Sequence, residues 1–164
     1  MKKSCLLIAI VLSLFLLSCG SEKYGIIPFE GRDATLECTV NGKFDLVISK
    51  TDEGCFLRVE APSRLRGTVF SFYKSGDVYI ESGEIRIPSS KNELCGIYSL
   101  ASVFDLNEDM MVSAVSEGGN GNLRFQKGKD AYTLTYDKNG FIREVKITSP
   151  DYEYSLTVHS IRID

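Results

Sequence analysis

Thiol chemistry is the first possibility this chain raises. It has five cysteines, of which Cys5 and Cys19 fall in the opening stretch MKKSCLLIAIVLSLFLLSCG and Cys38, Cys55 and Cys95 come later. A thiol can serve as nucleophile, metal ligand, disulfide partner or attachment point. Nucleophilic use needs a base, and the only histidine is His159, remote in sequence from Cys95. A helix start beside Cys95 would lower its pKa, but a small buried thiol is the simpler reading. The cysteine spacings match no metal or redox pattern. Acid–base work needs carboxylates held close together, and Glu37, Asp52, Glu53, Asp77, Glu144 and Glu153 fall at turns or alternate outward. His159 shares the parity of Glu153 and Thr157, which places it on an exposed strand face. No catalytic residue, cofactor or metal site is expected, and the chain reads as a non-enzyme.

Cys19 is different because of what precedes it. Lys2 and Lys3 give a short positive region, and Leu6 to Leu17 is apolar except for Ser13. That is about twelve residues, against roughly 20 needed to cross a bilayer core, so its length and flanks are those of a secretory signal. Leu16, Leu17, Ser18 and Cys19 resemble the lipobox of bacterial lipoproteins, with an aliphatic residue at −3, a small one at −1 and then the cysteine. The resemblance implies a signal peptide over 1–18 and a diacylglycerol thioether on Cys19. Acyl chains contribute about 0.8 kcal/mol per buried CH₂, enough to anchor the chain without a membrane-spanning helix. It implies a lipid-anchored domain on a membrane of the bacterial cell envelope, outside the cytoplasm. An uncleaved anchor and a plain secreted protein are the alternatives.

Cleavage before Cys19 would leave one domain's worth of chain. Without Lys2 and Lys3 the balance is 17 basic residues against 22 acidic. No basic run points to nucleic acid, and the net charge does not favour anionic lipid. A monomer is expected.

Residues 19–33 read as a lipidated tether. From Ala34 the pattern has period two, the mark of half-buried strands. Leu36, Cys38 and Val40 precede Asn41-Gly42, and Phe44, Leu46 and Ile48 follow. A two-residue turn would mix the faces, because a one-residue slip inverts every side chain. A three-residue loop, Asn41 to Lys43, pairs Val40 with Phe44, Cys38 with Leu46 and Leu36 with Ile48. A four-residue link over 51–54 then sets Ile48 beside Leu57 and Leu46 beside Val59. That register separates Cys38 from Cys55 by more than the roughly 7 Å a disulfide tolerates. All three domain cysteines are expected reduced and mostly buried.

Strands are expected at Leu65–Tyr73, Val78–Glu81 and Glu84–Pro88. Ser90 with Glu93 makes a capping-box pattern, and Leu94, Ile97, Tyr98, Ala101 and Phe104 follow at helical spacing. One amphipathic helix is predicted over 91–105. The run 110–115 suits helix or strand, and GGNGN at 118–122 reads as a mobile loop. In the last third, Tyr132, Leu134 and Tyr136 alternate, Asn139-Gly140 turns the chain, and Phe141, Val145 and Ile147 return. This pairs Leu134 with Val145 and Tyr132 with Ile147. The parity switch near Ser160 predicts a bulge.

Roughly eight or nine strands and one helix predict a mainly β (α+β) fold: a curved antiparallel half-barrel with the helix on its concave face. The stretch from Ala61 to Ser90, with Leu134 to Ile163, resembles the LolA/LolB-like lipoprotein-carrier superfamily. The resemblance covers about half of the chain after Cys19. It implies a β domain over 34–164 with an apolar cavity for acyl chains, and a lipid or lipoprotein ligand. The expected cavity residues are Leu46, Leu57, Val69, Ile97, Ala101, Phe104, Leu134 and Val145. The alternative is an anchored protein-interaction or sensory module with a solid core.

Overall fold

A computed structural model describes residues 32–117 and 120–164. The leader, Cys19 and nearly all of the tether lie outside the described residues. Among the described residues eleven strands form one antiparallel sheet: β1 Ala34–Val40, β2 Phe44–Lys50, β3 Gly54–Ala61, β4 Val69–Tyr73, β5 Val78–Ser82, β6 Ile85–Ser89, β7 Met111–Glu117, β8 Asn120–Lys127, β9 Asp130–Tyr136, β10 Ile142–Thr148 and β11 Glu153–Ile163. Their order is β6-β5-β4-β3-β2-β1-β11-β10-β9-β8-β7, so the first and last strands meet mid-sheet and β6 and β7 are free edges. The α-helix α1, Cys95–Ala101, sits in the crossover between those edges.

The sheet is strongly curved. From β4 to β9 there are six inter-strand steps, about 29 Å if laid flat at about 4.8 Å each. A seven-residue helix is only about 10 Å long. Yet α1 reaches both strands: Tyr98 packs on Phe72 of β4 with ring centroids 5.3 Å apart, and the Tyr132 hydroxyl of β9 donates to the Ser99 carbonyl at 3.3 Å. Leu36, Leu57, Phe104, Phe125, Tyr132 and Leu156 belong to the single core this curl encloses.

Parity sets the registers. Val40 pairs with Phe44, Cys38 with Leu46 and Leu36 with Ile48, across a loop in which Asn41 (φ 51°) and Gly42 (φ 64°) supply the left-handed turn. Ile48 pairs with Leu57 and Leu46 with Val59. Glu37 pairs with Ser160 but Cys38 with Val158, so His159 is the extra residue of a bulge, where the apolar parity of β11 changes.

Other expectations need correction. Leu134 does pair with Val145 and Tyr132 with Ile147, but the ladder shifts at Arg143 and Ile142 pairs with Tyr136. That bulge turns Phe141 outward, at 63 % exposure, and Ile142 inward. Residues 120–122 of the supposed loop are strand, and 111–117 is strand as well. The expected helix over 91–105 is helical only at Cys95–Ala101, with a 3-10 turn at Ser102–Asp105. Its capping pattern forms ahead of the helix. The Glu93 N–H donates to Ser90 Oγ at 3.2 Å, and the Glu93 carboxylate accepts from the Ser89 and Ser90 hydroxyls at 3.1 and 3.0 Å. The expected strand from Leu65 begins only at Val69, because Ser63–Leu65 forms a 3-10 turn.

Candidate functional site

On one side α1 does not fill the curl. Between the helix and β1–β4 lies a cavity of about 260 Å³. Ile97 and Leu100 form its helical wall, Val40, Leu46, Val59 and Phe70 its floor, and Tyr154 its far side. Phe44, Leu65 and Thr68 complete the lining. Phe44 and Leu65 are 36 % and 39 % exposed, which marks the mouth. By register this mouth lies at the end of the sheet that carries the 41–43 and 62–68 connections. Burial, with the neighbouring Tyr152, pushes the Tyr154 phenol up.

The apolar surface continues beyond the mouth. Phe70 pairs with Ile80, and Ile80 with Ile87, so all three share the concave face. Ile85 has the parity of Ile87, and the two are 63 % and 51 % exposed. They form an uncovered shelf leading out from the cavity along β4–β6.

Of the residues expected to line a cavity, Leu46 and Ile97 do so. Leu57, Phe104, Leu134 and Val145 are instead fully buried in packed core, and Ala101, also buried, lines a separate, smaller recess with Cys55, Phe72 and Tyr98. Val69 stands on the other face of β4, between Arg58 and Glu81; its neighbour Phe70 takes the inward position. Leu100 and Tyr154 were not expected. Leu100 sits one turn from Ile97, and the inward parity of Tyr154 was visible in the sequence.

On its other side α1 is pinned by polar groups. The Ser99 hydroxyl contacts Asp130 Oδ2 and, at 2.6 Å, the Tyr152 hydroxyl. Tyr152 also donates to Asp130 Oδ2 at 3.0 Å. Ser149 acts on the same carboxylate, although neither Asp130 Oδ1 nor Ser149 Oγ completes a hydrogen bond of ordinary geometry. Burial pushes the Asp130 carboxyl up, but hydrogen bonds from Ser99 and Tyr152, with the Ser149 hydroxyl and Lys129 nearby, outweigh it, and the net shift is downward. Asp130 is thus held as an ionised acceptor, a poor base for activating Ser99. The arrangement fastens helix to sheet. Gly96 assists, because a Cβ there would lie 2.5 Å from Tyr154 Oη; glycine lets the helix approach β11 this closely.

The remaining groups stay apart. His159 lies on the convex face, its Nε2 2.7 Å from Thr39 Oγ1, which donates to Asp45 at 2.6 Å. Cys95 belongs to α1 on the concave side. Burial first, and then Asp45 or Asp105, pushes the Cys38 and Cys55 thiols up to about 12. All three described cysteines are unpaired, but Cys95 is exposed rather than buried. Among the described residues no group of three or more His, Cys, Asp or Glu could hold a metal, and no helix is long and apolar enough to cross a membrane.

Fold and cavity define a class: an open antiparallel half-barrel, curved round a short helix, with apolar space left on one side of that helix. The chain is similar to a LolA superfamily protein from Nitrosomonas europaea, whose crystal structure it matches at a TM-score of 0.40 and 8 % identity over 81 % of this chain and 84 % of that one. No protein-family model matches the chain, and no curated relative matches it.

Proposed function

We propose that this protein is a non-catalytic lipoprotein, anchored through Cys19 to a membrane of the cell envelope, that holds an acyl chain in the cavity beneath α1. The observation that carries the reading is the cavity's apolar lining, open at one end and continued by Ile85 and Ile87. At about 30 Å³ per water-sized group, 260 Å³ takes about eight or nine methylenes. That suits one chain, with the shelf for its remainder, and not a whole three-chain lipid. About eight buried CH₂ groups at about 0.8 kcal/mol give a Kd of tens of micromolar. The rival reading, an anchored interaction or sensory module with a solid core, fits the β8–β11 side and leaves the cavity without a role.

Titration calorimetry with dodecanoate tests the cavity. One site with a negative heat-capacity change is expected, abolished in Ile97→Trp, which fills the space. No binding, or binding unaffected by that substitution, removes the proposal. For the anchor, radiolabelled palmitate should enter the wild-type chain and Cys5→Ala but not Cys19→Ala; label retained in Cys19→Ala refutes it.

A further inference from the structure

The sheet has a notch near its middle. The β10–β11 ladder ends at Glu144 and Thr157, but β11 runs on to Ile163, paired there with β1 on its other side. Among the described residues no strand pairs with residues 158–163 on the β10 side. β10 itself begins at Ile142, and the chain before it turns back to β9 through residues 137–141. A space of about 310 Å³ remains, lined by Ile142 and Arg143 of β10 and Val158 and Ile161 of β11, with Phe141 beside them. We infer that the tether folds back into this notch and adds residues 24–29, Tyr-Gly-Ile-Ile-Pro-Phe, to β11 as a short parallel strand.

Three observations carry this. First, the notch is a strand template. Alternate residues of a strand direct N–H and C=O groups to one side, and an open edge invites a further strand. Second, the tether arrives beside it. The Asp164 N–H donates to the Asp33 carbonyl at 3.0 Å, so the chain preceding β1 leaves at the end of β11. Crossing from the line of β1 past β11 takes two strand spacings, about 10 Å, and residues 30–33 span up to about 13 Å. Gly31 suits the turn. Because β1 and β11 are antiparallel, a segment folded back on β1 runs parallel to β11. Third, length and chemistry match. Residues 24–29 equal residues 158–163 in number and form an apolar run between the polar stretches Ser-Glu-Lys and Glu-Gly-Arg. Phe141 and Ile163, 63 % and 39 % exposed, offer apolar surface for Ile26, Ile27 and Phe29. Pro28 fits with its nitrogen turned away from β11.

The docked strand would orient the domain. It places Tyr24 level with Val158, which pairs with Cys38, two residues from the end of β1 beside the cavity mouth. About 17 Å of chain would then join Cys19 to the domain on the mouth's side, in place of about 50 Å leaving from the opposite end. That consequence rests on the Cys19 anchor; the docking itself rests on neither the anchor nor the acyl cavity.

The test uses the full chain in phosphatidylcholine nanodiscs. Hydrogen exchange, resolved residue by residue, should be slow at the notch-facing amides of residues 158–163. It should become at least tenfold faster there in Ile26→Pro/Ile27→Pro, which removes donors from the tether, with residues 130–136 unchanged. Both substitutions lie outside the described sheet, so its own ladders remain. Phe29→benzoylphenylalanine, irradiated, should cross-link to residues 141–143 or 158–163 of the same chain. Cys19→Ala should alter neither result, which separates this inference from the anchor. Fast exchange at the notch in the wild type, exchange unaffected by the proline pair, or cross-links elsewhere overturn the inference. So do mixed-isotope cross-links in a blend of ¹⁴N and ¹⁵N chains, because a second copy would then fill the notch.

Discussion

The two sides of α1 are packed differently against the same sheet. Towards β8–β11 the contact is solid: Phe125, Tyr132, Leu134, Val145 and Leu156 are fully buried, and Asp130 ties Ser99 to Tyr152. Towards β1–β4 the contact leaves about 260 Å³. Both sides have the same alternation and similar aliphatic content. What differs is the kind of contact. Polar bonds from Ser99 fasten α1 to Asp130 of β9 and to Tyr152, whereas towards β1–β4 the contact is apolar and a space remains beside Ile97 and Leu100. Unfilled volume normally costs stability, and the proposed acyl ligand would fill it.

This comparison can be broken by substitution. The largest effect is expected from Leu134→Ala on the solid side, about 2–5 kcal/mol in urea denaturation. Asp130→Ala should follow at about 1–3 kcal/mol, because it removes the acceptor shared by the buried Ser99 and the half-buried Tyr152 hydroxyls. The Asp130 pKa is depressed on folding. Its contribution is therefore present above the unfolded carboxylate pKa and lost as pH falls through the folded one. Asp130→Asn should flatten that part of the acid limb of a stability–pH profile, and an unchanged profile would show that the pin is not ionic. Gly96→Ala should cost about 1 kcal/mol and weaken dodecanoate binding, since Tyr154 must move off the helix. Ile97→Ala, bordering space already empty, should cost less than Leu134→Ala; equal costs would mean that the two sides are packed alike. The smallest disturbance is chemical: maleimide should modify Cys95 rapidly in the native chain and leave Cys38 and Cys55 until unfolding, as judged by peptide mass mapping.

Local alternation made the sheet legible. The three-residue loop after Val40, the register of Ile48 with Leu57 and the bulge beside Ser160 all follow from keeping apolar residues on one face. The reading failed where an irregularity broke the count. A bulge at Arg143 exchanged Phe141 for Ile142, a 3-10 turn at Ser63–Leu65 delayed β4, and Asn and Gly in 120–122 hid a strand behind turn-like composition. Helical spacing from Leu94 to Phe104 exaggerated α1, because a 3-10 turn presents similar neighbours.

The site was less legible for a different reason. Leu46 and Ile97 could be placed from parity and helical spacing, but the choice between lining a cavity and filling a core could not. That choice depends on how the helix seats on the sheet, and the groups that fasten it, Ser99, Asp130 and Tyr152, are 31 and 22 residues apart along the chain.

The most direct test of the central claim is an isotope-filtered NOE experiment on the full chain with unlabelled dodecanoate. The expected result is ligand contacts to methyl groups of Leu46, Val59, Ile97 and Leu100 and none to Leu134 or Val145. Contacts spread over both sides of the helix, or no contact to the four cavity residues, would contradict the account.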